Sequence, residues 1–340
     1  MYIYMKTAQL TEYNKSNIKL KLTDVPKPEV SANDVLIKVS AVGVNPLDNM
    51  ISRGEVKLIT PYKLPIIAGN EVVGTVESVG NQVSGFKKGD RIFSRLPLNR
   101  IGAFAEYVCV DSEAIAYVPS YLSDTEAAAV PLTALTITQA LELMGAESGK
   151  TLFISGGTGG VGAMAIPIAK AKGLIVITNG DGSNKECVIG LGADRFIDYK
   201  TEDYTQTLRQ VDYVLDTLGG LETEKQMSIL KKGGRLVSLR GMPNGAFAKR
   251  MNLPKWKQIL FGIVGRKFDK LANKYGVTYD FIFVESNGRQ LQEITDLFTE
   301  LQIKPSIDAV YSFDQINEAL YKVANGRSRG KTVISFEEEK

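Results

Sequence analysis

Short β-branched runs alternate with turn residues over roughly the first hundred positions. Residues 35–44 (VLIKVSAVGV) and 71–80 (EVVGTVESVG) are the clearest, and Gly69, Gly74, Gly80, Gly85 and Gly89 punctuate them. Such runs predict the strands of an antiparallel, barrel-like domain. From about Asp124 the texture changes to an apolar, alanine-rich helical stretch, AAAVPLTALTITQALELMGA. Strand and helix signals then alternate at a spacing that suits βαβ units. Strands are predicted at 151–155, 174–178, 195–198, 212–216, 235–239 and 281–284. They are mostly continuous apolar runs, which describe a doubly wound parallel sheet covered on both faces.

A different pattern occupies PKWKQILFGIVGRKFDK. Trp256, Ile259, Leu260, Ile263, Val264 and Phe268 recur at helical spacing, opposite Lys255, Lys257 and Arg266. The spacing predicts one amphipathic helix. A basic amphipathic helix can bind a membrane or a partner. The expectation here is a lid helix packed on its own protein with a solvated basic face, and Gly262 and Gly265 weaken its autonomous helicity.

With 340 residues, 44% of them hydrophobic, the chain exceeds most single cores, so two domains are expected. The histidine count changes the picture most, because it is zero. Imidazole bases, Ser-His and Cys-His nucleophiles and histidine metal ligands are all excluded. Cys109 and Cys187 lack CxxC spacing and are expected to be buried thiols. A net charge of +3 is too mild to imply nucleic acid or an anionic membrane. The first ten residues show no signal-peptide core, and no later apolar run is read as approaching the roughly 18 residues of a membrane span. A cytoplasmic protein is expected, with no membrane and no nucleic acid as partner.

The chemistry is carried by the segment after the strand at 151–155, where Gly156-Gly-Thr-Gly-Gly-Val-Gly162 opens an alanine-rich helix. It contains GxGxxG at Gly157, Gly159 and Gly162, with Thr158, Gly160 and Val161 between them. In that context Gly157 makes a tight turn, Gly159 lets backbone approach a diphosphate, and Gly162 allows close packing of helix on strand. Which dinucleotide binds is read at the end of the second strand, where an acidic residue would hold a ribose 2′-hydroxyl. That strand runs into Asn179 and Gly180, so a 2′-phosphate is admissible, with Lys185 and Tyr199 to contact it. Asp181, two residues on, leaves the other choice open.

Taken together, these residues resemble the medium-chain dehydrogenase/reductase superfamily, in particular its zinc-independent quinone oxidoreductase and alkenal or enone reductase branch. The resemblance runs along the whole chain: GVNPLD at 43–48, AGNEVVGTVESVG at 68–80, KKGDRIF at 87–93, GAFAEY at 102–107, AAAVPLTALT at 127–136, the glycine loop, LGADRFIDY at 191–199 and GKTVI at 330–334. It implies an α/β protein with a GroES-like β-barrel catalytic domain, residues 1–126 completed by 287–340, and a Rossmann domain at 127–286. Zinc-dependent relatives have a cysteine and a histidine where this chain has Asn45 and Asn70, so no metal is expected. Without a metal, the resemblance implies hydride transfer from NADPH to a quinone or to the activated C=C bond of an enone or enal. A reductase of a specific unsaturated acyl metabolite is the alternative within enzymes. A non-catalytic nucleotide- or RNA-binding protein is the alternative outside them, supported only by the basic cluster between Lys249 and Lys274.

The resemblance places Asn45 and Thr136 beside the nicotinamide, Asn45 as a donor to the substrate oxygen and Thr136 as an orienter of the cofactor amide. Asn45 could instead shape the turn before Pro46. Met50 stands where quinone reductases often have a tyrosine acid, so Tyr62 or solvent is left as proton donor. Arg53 is assigned either to the cofactor or to a surface ion pair. Leu239 and Arg240 after the fifth strand, and Phe283 in the sixth, lie at the carboxyl edge of the sheet as cofactor or substrate contacts. Lys331 could reach the cofactor phosphates from the returning tail. The partners implied are a small-molecule substrate and NADPH, with a homodimer left open.

Overall fold

The computed structural model describes residues 3–326 and 330–336. The chain forms two compact units, Met1–Leu135 with Glu285–Lys340, and Thr136–Val284. The first unit begins with β1 (Tyr4–Leu10), β2 (Lys21–Pro26) and β3 (Asp34–Val44), followed by α1 (Pro46–Arg53). It continues through β4 (Ile66–Ile67), β5 (Glu71–Val79), β6 (Arg91–Arg95), β7 (Tyr107–Asp111), β8 (Ile115–Tyr117) and α2 (Asp124–Ala127). Helix α3 (Pro131–Met144) leads into the second unit. There follow β9 (Thr151–Ile154), α4 (Gly160–Ala171), β10 (Ile175–Gly180), α5 (Lys185–Gly190), β11 (Arg195–Asp198), α6 (Tyr204–Thr207), β12 (Val211–Asp216), α7 (Leu221–Ser228) and β13 (Leu230–Ser238). Helices α8 (Gly245–Arg250), α9 (Lys255–Val264) and α10 (Arg266–Tyr275) then precede β14 (Thr278–Phe281). The chain returns to the first unit with α11 (Gly288–Leu301), β15 (Ile307–Ser312), α12 (Ile316–Ala324) and β16 (Lys331–Ser335).

Strand β3 is the spine of the first unit, pairing with β5, β7 and β16. Nearly all of its residues are buried, which is why its sequence reads as a continuous apolar run rather than a clean alternation. The sheet order is β15-β16-β3-β5-β6-β8. Its pairings are antiparallel except β15 with β16, which run in parallel. A separate sheet has the order β2-β1-β4.

The second unit holds a six-stranded parallel sheet in the order β11-β10-β9-β12-β13-β14. In chain order this is 3-2-1-4-5-6, the doubly wound arrangement, with the order reversing between β9 and β12. Phe153, Val214, Leu236, Met227, Phe268 and Tyr279 pack one side of it. The sixth strand ends at Phe281 instead of spanning 281–284. Its partner β13 ends at Ser238, which pairs with Phe281, so the ladder runs out there.

Several expectations are corrected. The division between units falls inside α3, after Leu135, because the Leu132 amide in its first turn donates to Glu71 Oε2 at 2.8 Å and ties that turn to β5. Asp124–Met144 is long and apolar enough to cross a membrane by composition, yet most of it is buried within the protein. The single amphipathic helix is two, broken at Gly265, where a Cβ would lie 2.5 Å from that of Asn244. Its apolar stripe is packed down only in part: Phe268 on α10 joins the core and α9 buries Phe261, while Trp256, Ile259 and Ile263 face solvent. Of the two cysteines, Cys109 is buried as expected and Cys187 is exposed.

Candidate active site and dinucleotide loop

At the end of β9 the chain turns through the glycine loop into α4. Ser155 anchors the turn: its Oγ accepts from the Thr217 amide at 2.9 Å, and its carbonyl accepts from Thr217 Oγ1 at 2.6 Å. Gly157 is buried against Thr178, and a Cβ on Gly162 would sit 2.4 Å from the Gly157 Cα, so only glycine lets helix and loop approach this closely. Thr158, Gly159, Gly160 and Val161 are half-buried. Gly159 caps α4 in an extended conformation, and the first amides of the helix have no intrahelical acceptor. Open space faces Gly159 except for one carbonyl at 3.4 Å. This cradle of backbone donors fits a diphosphate.

Asn179, read from sequence as a cofactor-site residue that stands where a ribose-binding acid would be, has its own task in the loop. It is buried, its Oδ1 accepts from the Gly156 amide at 2.8 Å, and its carbonyl accepts from the Gly157 amide at 3.0 Å. Asn179 therefore fastens the glycine loop to β10. Lys185 at the start of α5 and Tyr199 just after β11 are both exposed, and the Tyr199 amide donates to Gly180. Asp181 accepts from Lys200 Nζ at 2.6 Å and from the Ser183 amide, and Lys200 foremost, then Ser183, pulls its carboxyl down to about 2. Sequence reasoning missed Lys200, although its place beside Tyr199 was the available signal.

At the carboxyl edge of the sheet, Asp216 at the end of β12 is fully buried. It accepts from Thr223 Oγ1, Ser238 Oγ, Gln226 Nε2 and the amides of Leu218 and Gly219. Five donors satisfy one buried carboxylate and tie the loop after β12 to the end of β13. Leu239 follows, half-buried, with its amide on the Asp216 carbonyl, and Arg240 is exposed beside Gly219. Phe283 is half-buried beyond the end of β14 rather than within a strand. Thr136 is half-buried on α3.

In the first unit, α1 starts sharply because Asn45 is extended, Pro46 is already set for the first turn, and Asp48 Oδ2 accepts from the Asn45 amide at 2.7 Å. This places Asn45 over β5. Asn45 Nδ2 donates to Glu71 Oε1 at 2.7 Å, and its Oδ1 accepts from Lys331 Nζ at 2.6 Å. Lys331 also pairs directly with the fully buried Glu71. Both ends of the amide are thus engaged, and the side chain expected to donate to substrate instead links Glu71 to Lys331. Lys331 is held in the same cluster rather than reaching for phosphates.

Asn70 Nδ2 donates to Asp48 Oδ1 at 2.6 Å. Burial pushes the Asp48 carboxyl up to about 6, against the lowering effect of the Asn45 amide and then Asn70. Arg95, also fully buried, donates to the Leu96 carbonyl, and burial lowers its guanidinium to about 10. The Tyr62 hydroxyl donates to the Leu98 carbonyl at 2.7 Å, and burial raises its pKa. That proton is committed, so Tyr62 does not present it to a ligand. Arg53 pairs with Glu55 at 3.7 Å, the surface ion pair of the two readings. Of this cluster only Asn70 was singled out from sequence, as the residue standing in place of a zinc-binding histidine; Asp48, Glu71 and Arg95 stood only within the quoted motifs.

These residues do not form a zinc donor set. Where thiolate and imidazole would be needed, two amide nitrogens point at carboxylates and an ammonium group sits on Glu71.

Comparison with known proteins agrees with both halves of the architecture. Residues 31–120 match the alcohol dehydrogenase GroES-like domain, and residues 191–334 match a family described as zinc-binding dehydrogenase. The 2-methylene-furan-3-one reductase of Solanum lycopersicum is 31% identical over 97% of this chain and 79% of its own length. A mitochondrial NAD(P)H oxidoreductase of Danio rerio, RTN4IP1, is 31% identical over 97% of this chain and 91% of its own. The structure of the quinone oxidoreductase from Coxiella burnetii superposes with a TM-score of 0.82 at 28% identity, covering 98% of this chain and all of that one. A GroES-like unit carrying a buried polar cluster, joined in sequence to a Rossmann unit carrying a glycine loop, defines an oxidoreductase of the nicotinamide-dependent type. The chain belongs to the medium-chain dehydrogenase/reductase superfamily, in its quinone oxidoreductase branch.

Proposed function

We propose that the protein is an NADPH-dependent reductase of quinones or of the activated C=C bonds of enones and enals, working without zinc in the cytoplasm. The observation that carries this reading is the Asn45–Glu71–Lys331 cluster. Its amide and ammonium groups satisfy the buried carboxylate, leaving no ligand set to polarise an alcohol oxygen. Acceptors that need no Lewis acid are those already electron-poor, and bound nicotinamide supplies the hydride for them. The chain's own part is to hold and orient. The amides at the start of α4 take the diphosphate, Asn179 keeps the glycine loop in place, and Asp216 fixes the loops at the carboxyl edge of the sheet. Neither Asn45 nor Tyr62 offers a free proton, so the proton that completes the product comes from solvent.

NADPH is favoured over NADH because Lys200 neutralises Asp181, a carboxylate that would repel a 2′-phosphate from its place just after β10, while Lys185 and Tyr199 stand exposed at the starts of the segments after β10 and β11. The test is nicotinamide oxidation by purified protein with a panel of quinones, enones, enals and aldehydes, run with both cofactors. Lys185→Ala should weaken NADPH binding by roughly tenfold to a hundredfold and leave NADH binding nearly unchanged. Lys200→Ala should weaken NADPH and uncover Asp181, narrowing the preference from both sides. No oxidation with any acceptor sinks the catalytic reading, and a wild-type preference for NADH sinks the cofactor assignment.

A further inference from the structure

Helix α9 and the residues around it combine two features that the reductase reading does not use. Trp256, Ile259 and Ile263, at i, i+3 and i+7, share one face and are 58%, 66% and 67% exposed. Val264 extends the same apolar arc and is also exposed, while the buried Phe261 lies on the opposite side and attaches the helix through edge contacts with Phe247. At 3.6 residues per turn, Lys255 and Lys257 fall on the two edges of that arc. The second feature is charge. Lys249, Lys255, Arg266, Lys267 and Lys270 are exposed and form no ion pair among the described residues. The only acid between residues 249 and 270 is Asp269, which accepts from Asn244.

We propose that this face docks on an anionic lipid surface, α9 lying in the plane of the interface with its apolar arc among the acyl chains. Charge complementarity selects that occupant. A second copy placed face to face would set two uncompensated cationic rims against each other, which opposes association. An anionic bilayer instead offers hydrocarbon for Trp256, Ile259 and Ile263 and negative headgroups for the lysines at the edges of the arc, which can extend outward along their stems. Tryptophan is also the side chain best suited to the boundary between headgroup and acyl chain. The expectation that this segment packs on its own protein holds for Phe268 and fails for Trp256, Ile259 and Ile263, which α9 presents outward.

The full chain is mixed with vesicles of phosphatidylcholine alone or of phosphatidylcholine with phosphatidylglycerol, and followed by flotation and tryptophan emission. Trp256 is the only tryptophan, so the emission reports this face directly. The expected result is flotation with the phosphatidylglycerol vesicles only, a blue shift of Trp256, and release at about 1 M salt, where the screening length falls to about 3 Å. Ile259→Glu with Ile263→Glu should lower partition at least tenfold with an unchanged melting temperature, since both positions are exposed. Lys267→Ser with Lys270→Ser should lower it by roughly fivefold for each lysine removed. Partition that is absent, equal on neutral vesicles, or unaffected by the glutamates overturns the proposal. A wild-type dimer in solution that the glutamate pair converts to monomer, with no flotation, overturns it in favour of a second copy.

Discussion

Replacing Asp48 with asparagine should make the protein more stable at neutral pH, and the gain should disappear in acid. Asp48 is buried, and burial raises its carboxyl from an ordinary 3.8 to about 6. A folded state with the raised value holds its proton where the unfolded chain has lost it, so stability falls as pH rises from about 3.8 to about 6 and then levels off. At about 1.4 kcal/mol per unit, the ionised group costs about 3 kcal/mol above that window. Asparagine has nearly the same shape and never ionises. Its Oδ1 can still accept from the Asn45 amide, and its Nδ2 can find an acceptor because Asn70 Oδ1 is buried with no partner among the described residues, so the Asn70 amide only has to turn over. Urea unfolding of wild type and Asp48→Asn, measured from about pH 4 to about pH 8, gives a difference curve in which other titrating groups cancel. The variant should match wild type near pH 4 and exceed it by up to about 3 kcal/mol near pH 8. A difference that is flat with pH, or that grows toward acid, would show that Asp48 is not the group carrying the burial cost.

Asp216→Ala leaves five donors around an empty site, and the guanidinium unfolding midpoint should report a loss of at least about 3 kcal/mol. A loss below about 1 kcal/mol would mean that those donors find other acceptors. Gly162→Ala places a methyl 2.4 Å from the Gly157 Cα, a backbone atom with no freedom to yield. NADPH affinity, measured by titration, should fall at least tenfold, and an unchanged affinity would separate the loop's closeness from cofactor binding. Asn45→Asp sets a carboxylate where the amide now lies 2.7 Å from Glu71, so it should melt at a lower temperature than Asn45→Ala at neutral pH. The reverse order would show that Lys331 alone can hold two carboxylates.

What the sequence determined by itself was whatever depends on neighbours along the chain. The apolar runs at β9, β10 and β12 are mostly buried parallel strands because helices cover both faces, and that burial is written in each run separately. The glycine loop was equally legible, since turn, cradle and close approach all fall within a few residues. The change of texture near Asp124 located the passage between units, but not its position inside α3, which depends on a bond from Leu132 to Glu71, far back in the chain. The side-chain roles were decided only by tertiary structure. Asn45 spends its amide on partners 26 and 286 residues away, and Asn179 reaches back 23 residues to the glycine loop. A polar side chain beside a predicted site reads as a ligand contact until the fold brings it a buried partner, because hydrogen bonding follows distance in space rather than in sequence. The stripe on α9 shows the converse. Its helical spacing was visible in the letters, but an apolar face looks the same in sequence whether it is packed inward or exposed, and only the break at Gly265 and the anchoring of Phe261 turn it outward.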